Sequence, residues 1–148
     1  MKQIYYWETN TIDFEDDNGS KFILTLRDGI TQLKGESGVG KTYLCKQIEK
    51  IQSQGNSKYK ADGIVIANKN NIKYILENSK QKLIIVDNAH LVLTDDLVDI
   101  INMDENNRYL IITRVSIGLE ISPNHQADMI LTNNLATLKY RFSVKGWC

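Results

Sequence analysis

Residues 35–42 combine glycines, a lysine and a hydroxyl residue at a spacing suited to holding phosphate groups. Gly35 is followed after four residues by Gly40, Lys41 and Thr42, between a predicted strand and a predicted helix. Glycine tolerates positive φ, so successive amides can point inward around phosphate oxygens at the positive end of the helix. Lys41 is expected to contact the β and γ phosphates of ATP or another nucleoside triphosphate, and Thr42 to bind Mg²⁺. The predicted phosphate-binding residues are Gly35, Glu36, Ser37, Gly38, Val39, Gly40, Lys41, Thr42 and Tyr43.

A second candidate group is the carboxylate of Asp87, which follows the apolar run at 83–86. Mg²⁺ is a hard cation that prefers oxygen ligands, and an ion that bridges two phosphates needs an oxygen on its far side. Asp87 is therefore predicted to hold Mg²⁺ together with Thr42, directly or through water. The alternative is that Asp87 only caps the turn after its strand.

The segments GESGVGKT, at 35–42, and KLIIVDN, at 82–88, give the chain a resemblance to the P-loop NTPases. They look like the Walker A and Walker B motifs of the additional-strand class, which includes the AAA+, RecA-like and ABC groups. Residues 12–44 also resemble the opening of an ABC-type ATPase, but no LSGGQ-like signature follows, and the chain between Lys41 and Asp87 is too short for that family's helical subdomain. The resemblance implies a three-layer α/β P-loop NTPase fold whose mainly parallel sheet has the core order 5-1-4-3-2.

The resemblance also implies roles for the residues that end the later strands. The position after the Walker B aspartate is usually a glutamate that polarises the attacking water, and here it is Asn88. A carboxamide can orient water but cannot accept its proton, so binding with slow hydrolysis is expected. Thr113 is implied to sense the γ phosphate, and Arg114 either adds positive charge to the transferring group or is an ordinary surface arginine. The predicted catalytic residues are Lys41, Asp87, Asn88, Thr113 and Arg114, and the candidates to replace the missing glutamate are Glu36, Glu120 and His90, of which His90 also fits a structural role.

Around these groups the hydrophobic pattern predicts short strands that alternate with helices, which is typical of a parallel sheet covered by helices. Extended segments up to residue 26, with turns near Gly19 and Gly29, predict an N-terminal antiparallel β ribbon. Further strands are predicted at 30–34, 64–67, 83–87, 109–113, 129–132 and 135–142. Apolar residues three and four positions apart predict helices over 41–53 and around 72–76, and Thr94 is predicted to cap a third helix.

Length and composition limit the class of protein. The chain has 148 residues, of which 42% are hydrophobic and 24% charged, and this fits one globular domain over residues 1–148. Its 18 basic and 18 acidic residues balance, which argues against nucleic-acid binding through a general electrostatic field. No apolar run approaches the roughly 20 residues that cross a bilayer, and no secretion signal is evident, so a cytoplasmic protein with reduced Cys45 and Cys148 is expected. Richness in Ile, Lys and Asn favours an AT-rich bacterial or mobile-element genome.

Three functions remain open from the sequence. The first is a weak ATPase or nucleotide-dependent switch within a larger assembly, in which a protein partner or another copy of the chain supplies a missing group. The second is a nucleotide-binding module without catalysis, which Asn88 favours. The third, a small-molecule kinase, is disfavoured because the chain has four arginines and no evident lid segment. Lysines between 58 and 82 and basic residues after 136 leave an acidic partner or nucleic acid open, and Tyr5, Tyr6 and Trp7 suit stacking on a base or packing within a sheet.

Overall fold

The apolar runs of the chain form strands, and the segments with apolar residues three and four positions apart form helices. The computed structural model of the protein describes residues 1–34 and 40–141. The strands in these ranges are β1 (Lys2–Gln3), β2 (Tyr5–Tyr6), β3 (Thr11–Glu15), β4 (Lys21–Thr25), β5 (Ile30–Lys34), β6 (Tyr59–Lys60), β7 (Ile64–Ala67), β8 (Leu83–Val86), β9 (Arg108–Thr113), β10 (Gln126–Thr132) and β11 (Leu135–Tyr140). The helices are α1 (Lys41–Gln54), α2 (Ile72–Asn78), α3 (Ala89–Val92) and α4 (Asp95–Met103), with one 3₁₀ turn at Pro123–His125. In the same ranges no helix is both long enough and apolar enough to cross a lipid bilayer.

Several predicted elements are confirmed with the same or nearly the same bounds. The strands predicted at 30–34 and 64–67 are β5 and β7, and the helix predicted over 41–53 is α1, which ends one residue later. Gly55 follows α1 with φ at 77°, and its backbone N–H donates to the carbonyl of Ile51 at 3.0 Å. Thr94 caps α4 as predicted, because its hydroxyl accepts a hydrogen bond from the backbone N–H of Leu97 at 3.4 Å.

Nine strands of the described part of the chain form one mixed sheet in the order β2-β3-β4-β11-β10-β5-β9-β8-β7. Neighbours from β10 to β7 run parallel, so the carboxyl ends of β5, β8 and β9 lie at the same end of the sheet. β5 pairs along its full length with β9, from Ile30 opposite Tyr109 to Lys34 opposite Thr113. All four residues of β8 are buried, as expected for a strand between two parallel neighbours with both faces covered.

The outer strands of this sheet, β2 and β7, are brought towards each other by contacts near their amino ends. β1, which precedes β2, pairs in parallel with β6, which precedes β7. The backbone N–H of Ile4 donates to the carbonyl of Lys60 at 3.0 Å. Arg108, at the start of β9, contacts the segment after β2, since its guanidinium carbon lies 3.9 Å from the centre of the Trp7 ring. The sheet is therefore barrel-shaped and nearly closed.

The predicted three-layer P-loop NTPase fold is wrong, because the strands form a single mixed sheet that is nearly closed. The predicted order 5-1-4-3-2 of the parallel strands occurs within this sheet as β10-β5-β9-β8-β7, and the predicted antiparallel ribbon, β2-β3-β4, is part of the same sheet. The connecting strand is β11, which pairs antiparallel with β10 and parallel with β4. Leu135 lies opposite Lys21, and Ala136 lies opposite Phe22. Local hydrophobic patterns mark both strands, but they carry no signal for pairing between residues so far apart in the chain.

The buried side chains form two clusters on the two faces of the parallel strands. Alternate residues of β8 divide between these clusters: Leu83 and Ile85 pack with the buried side of α1, whereas Ile84 and Val86 pack with residues of α2, α3 and α4. The first cluster also contains the buried side chains of β3 and β4. This packing fixes the amino end of α1 relative to the carboxyl ends of the strands.

Arg108 is predicted to contribute strongly to the closure of the sheet. Its side chain is 19% exposed, and its guanidinium donates to the Tyr5 hydroxyl at 3.3 Å and to the carbonyl of Trp7. The variant Arg108→Gln loses the cation–π contact and these charged hydrogen bonds, so we expect the free energy of unfolding to fall by about 2 kcal/mol. Urea unfolding followed by circular dichroism measures this change.

The matched control is Asp28→Asn. Asp28 forms an ion pair with Arg108 at 3.7 Å, but the Asp28 side chain is 93% exposed. We therefore expect a change of at most about 0.5 kcal/mol in the free energy of unfolding. Equal losses in the two variants would show that Arg108 acts through surface charge and not through its contacts with the N-terminal strands.

Acid is predicted to weaken the junction between α4 and β9 through Asp104. Burial alone would raise the pKa of this carboxyl, but hydrogen bonds from the Tyr109 hydroxyl and the Asn107 side chain outweigh it and lower the pKa below its ordinary 3.8. A carboxylate whose pKa is lowered by folding stabilises the fold above its unfolded-state pKa. This contribution is therefore complete above about pH 5 and is lost as the pH falls below about 4. Urea unfolding at a series of pH values should show a shallower acid-induced loss in Asp104→Asn, and parallel curves for the two proteins would contradict the assignment.

Candidate phosphate-binding site

A depression at the carboxyl ends of β5, β8 and β9 is lined by most of the described residues that the sequence analysis predicts to be functional. It is lined by Lys41, Thr42, Asp87, Asn88, Ile112, Thr113 and Arg114. α1 begins at Lys41, β8 ends one residue before Asp87, and β9 ends at Thr113. Ligands commonly bind beyond the carboxyl ends of parallel strands, which is where these side chains meet. Of the predicted phosphate-binding residues, Gly35, Glu36, Ser37, Gly38 and Val39 lie outside the described residues.

Lys41 is the most buried charged residue of this lining. It is 7% exposed at the first position of α1. Gly40 before it has φ at 84°, in the left-handed region that glycine tolerates, and a Cβ atom there would lie 3.1 Å from Cε of Met129. The first turn of α1 contains no acidic side chain among its described residues, so its positive end is not neutralised from within the helix. A buried ammonium at such a helix end favours an anion.

Thr42 and Asp87 place two oxygen ligands side by side. The Thr42 hydroxyl donates to Oδ2 of Asp87 at 3.4 Å, and the backbone N–H of Asn88 donates to Oδ1 at 2.9 Å. Mg²⁺ binds six oxygens at about 2.1 Å, with adjacent oxygens about 3 Å apart, and commonly takes only one or two of them from protein. The Thr42 hydroxyl and the Asp87 carboxylate are therefore suitable oxygen ligands for Mg²⁺. Across residues 1–34 and 40–141 no group of three His, Cys, Asp or Glu side chains offers an all-protein metal site.

Asn88 follows Asp87 directly, at the turn from β8 into α3. Its side chain is exposed and its backbone lies in the left-handed region at φ 50°, which asparagine adopts more readily than most residues. A carboxamide can donate to and accept from water, but it does not take up a proton at neutral pH. Asp87 is the sole carboxylate in the described lining. Asp87 and Asn88 are therefore better suited to binding a phosphate ligand with its cation than to activating water for rapid hydrolysis.

Thr113 and Arg114 lie at the end of β9. Thr113 is 1% exposed, and its hydroxyl donates to the carbonyl of Val115 at 2.8 Å. The hydroxyl therefore stabilises the turn that follows the strand. Arg114 is exposed and lines the depression. The turn held by Thr113 thus determines where the arginine side chain leaves the sheet.

Three other sequence candidates are engaged elsewhere or lie outside this lining. The Tyr43 hydroxyl donates to the carboxylate of Asp16 in the turn after β3, and this hydrogen bond raises the pKa of Tyr43. Glu120 lies near Ile30, at the opposite end of the parallel strands. His90 lies on α3, and its buried Nδ1 atom has no hydrogen-bond partner among the described residues.

Two further expectations concern aromatic residues and thiols. Tyr5 is 4% exposed and donates through its hydroxyl to Asn10 at 2.7 Å, while the Trp7 ring supports Arg108, so both aromatic side chains take part in packing. Cys45 lies on the buried side of α1 as a free thiol, and burial raises its pKa, with the charge of Asp87 adding to the effect. Cys148 lies outside the described residues.

The sequence reasoning missed a pair of residues on β10 and just beyond β11. Arg141 pairs bidentately with Asp128, at 2.7 Å and 3.2 Å, and also donates to the carbonyl of Lys34 at 3.0 Å. Lys34 is the last residue of β5, directly before the glycine-rich motif. The sequence alone gives no signal for the place of this pair at the site, because that place follows from the pairing of Ala127 with Leu33 across β10 and β5.

No family model, curated protein or solved structure matches the chain. The predicted membership of the additional-strand class of P-loop NTPases, with its AAA+, ABC and RecA-like groups, is wrong, because the nearly closed mixed sheet is not the three-layer core of that class.

Proposed function

We propose that the protein binds the triphosphate of ATP, or of another nucleoside triphosphate, together with Mg²⁺, and hydrolyses it slowly. The observation that carries this proposal is the meeting of Lys41, Thr42 and Asp87 at one end of the parallel strands. A buried ammonium suits phosphate oxygens, and the adjacent hydroxyl and carboxylate suit the cation that bridges them.

Each side chain has a defined task in this proposal. Lys41 donates to phosphate oxygens at the amino end of α1, where the helix dipole also attracts anions. Thr42 and Asp87 hold Mg²⁺, which when bound neutralises charge on the phosphates. Asn88 orients a water molecule but takes no proton from it, which makes turnover slow. Arg114 adds positive charge at the mouth of the depression.

Binding without hydrolysis is a second candidate function, favoured by the residues around Asp87. Asn88 is not a base, and the two oxygens of Asp87 already accept hydrogen bonds from Thr42 and from the backbone of Asn88. In this case the protein is a nucleotide-binding module without catalysis, and the bound nucleotide supports its interaction with a partner.

The variant Lys41→Ala tests the site directly. It removes the ammonium from the phosphate-binding end of α1, and we expect the affinity for Mg·ATP to fall by about 100-fold or more. Titration calorimetry measures this change. Lys46→Ala is the matched control, because it removes an exposed lysine from the same helix and should bind as the wild type does. Unchanged affinity in Lys41→Ala would contradict the proposed site.

The variant Asn88→Glu tests the proposed cause of slow hydrolysis. It places a carboxylate that can accept a proton next to Asp87, and we expect phosphate release at saturating Mg·ATP to rise about tenfold or more. Asn88→Gln is the control, because it has the same side-chain length and a similar backbone strain but no base. If Asn88→Glu binds Mg·ATP without any gain in rate, Asn88 does not face the attacking water and the binding module is the better description.

A further inference from the structure

The side of the site formed by β10 and β11 contains an arginine held by three hydrogen bonds. The Arg141 guanidinium donates through Nη2 to Oδ1 of Asp128 at 2.7 Å and through Nε to Oδ2 at 3.2 Å. The same Nη2 donates to the carbonyl oxygen of Lys34 at 3.0 Å. A planar fork that meets both oxygens of a carboxylate is restrained in position and in orientation.

β10 lies beside the end of β5 and beside Gly40, the residue before α1. Ala127 pairs with Leu33, which brings the following residue, Asp128, level with Lys34 at the end of β5. Met129 lies so close to Gly40 that a Cβ atom on this glycine would be 3.1 Å from Cε of the methionine. The strand therefore borders the residue before the motif and the residue that leads into α1.

Asp128 also interacts electrostatically with Lys41. The hydrogen bonds from Arg141 lower the pKa of the Asp128 carboxyl against the effect of its partial burial, and the charges of Lys41 and Lys139 lower this pKa further. Asp128 is therefore an anion at neutral pH, within the electrostatic influence of Lys41. An anion in this place opposes a bound phosphate unless a cation balances it, and Arg141 provides that cation.

We propose that Arg141 is a positioning residue for the phosphate-binding site: it holds the carbonyl of Lys34 and balances Asp128, so that β5 ends in a fixed position beside Lys41. The inference rests on the proposed function, because it concerns the same site. It requires the fork geometry of arginine and not its charge alone. A lysine at this position carries the same charge, but it lacks the planar fork that meets both carboxylate oxygens in parallel while also donating to the carbonyl.

The test compares Arg141→Lys and Arg141→Gln with the wild type. Titration calorimetry with Mg·ATP and with Mg·tripolyphosphate measures affinity with and without a nucleoside. We expect both variants to bind both ligands about tenfold more weakly at an unchanged number of sites per chain. Arg27→Gln is the matched control, because Arg27 stacks on the neighbouring Tyr140 ring at 4.0 Å, and this variant should bind as the wild type does.

Each other outcome counts against a specific part of the argument. If Arg141→Lys binds as tightly as the wild type and only Arg141→Gln is weak, Arg141 acts through charge and the positioning role is overturned. Wild-type affinity in both variants also overturns this role but leaves the proposed function intact. If the wild type binds neither ligand, the proposed function and this inference fall together. A reduced number of sites at unchanged affinity identifies partial unfolding and likewise overturns the positioning role.

Discussion

The parallel pairing of β5 with β9, and of β9 with β8, is the constraint on which the candidate site depends. Its register places Lys34 opposite Thr113 and Val86 opposite Ile111, so three distant segments of the chain end at one side of the sheet. A shift of one residue would turn every side chain of a strand to the other face, and the two faces of β8 pack against different helices. Core packing therefore holds the register, and the register holds the functional groups together.

Two arginines stabilise opposite ends of these strands by different means. Arg108 ties the amino end of β9 to Trp7 and so helps to close the sheet. Arg141 follows β11, the strand that joins the N-terminal strands to the parallel ones, and donates to Lys34 at the carboxyl end of β5. Because Arg141 directly follows β11, this strand both joins the two parts of the sheet and lies next to the candidate site. The curvature of the sheet and the shape of the candidate site are thus physically connected.

The parts of the molecule that could be predicted from the sequence are those encoded over a few neighbouring residues. The change from a strand pattern to a helical pattern around the glycine-rich motif located β5 and α1, and the apolar run before Asp87 located β8. The nearly closed sheet could not be predicted, because it depends on the distant pairing of Leu135 with Lys21. The ion pair between Arg141 and Asp128 could not be predicted for a related reason, because the type of one charged residue in a strand does not indicate which residue lies beside it in the sheet.

Under the proposed function, the site combines strong groups for holding phosphate with a weak group for activating water. Burying an ammonium is unfavourable unless negative charge compensates it, and Lys41 is nearly as buried as the core around it. A bound polyphosphate would bring further negative charge to Lys41, since the carboxylate of Asp128 already pairs with Arg141. The position beyond Asp87, by contrast, is an exposed asparagine with no basic atom. Under this proposal hydrolysis alone ends the bound state only slowly, and a second protein or a second copy of the chain that placed a base near Asn88 would speed this step.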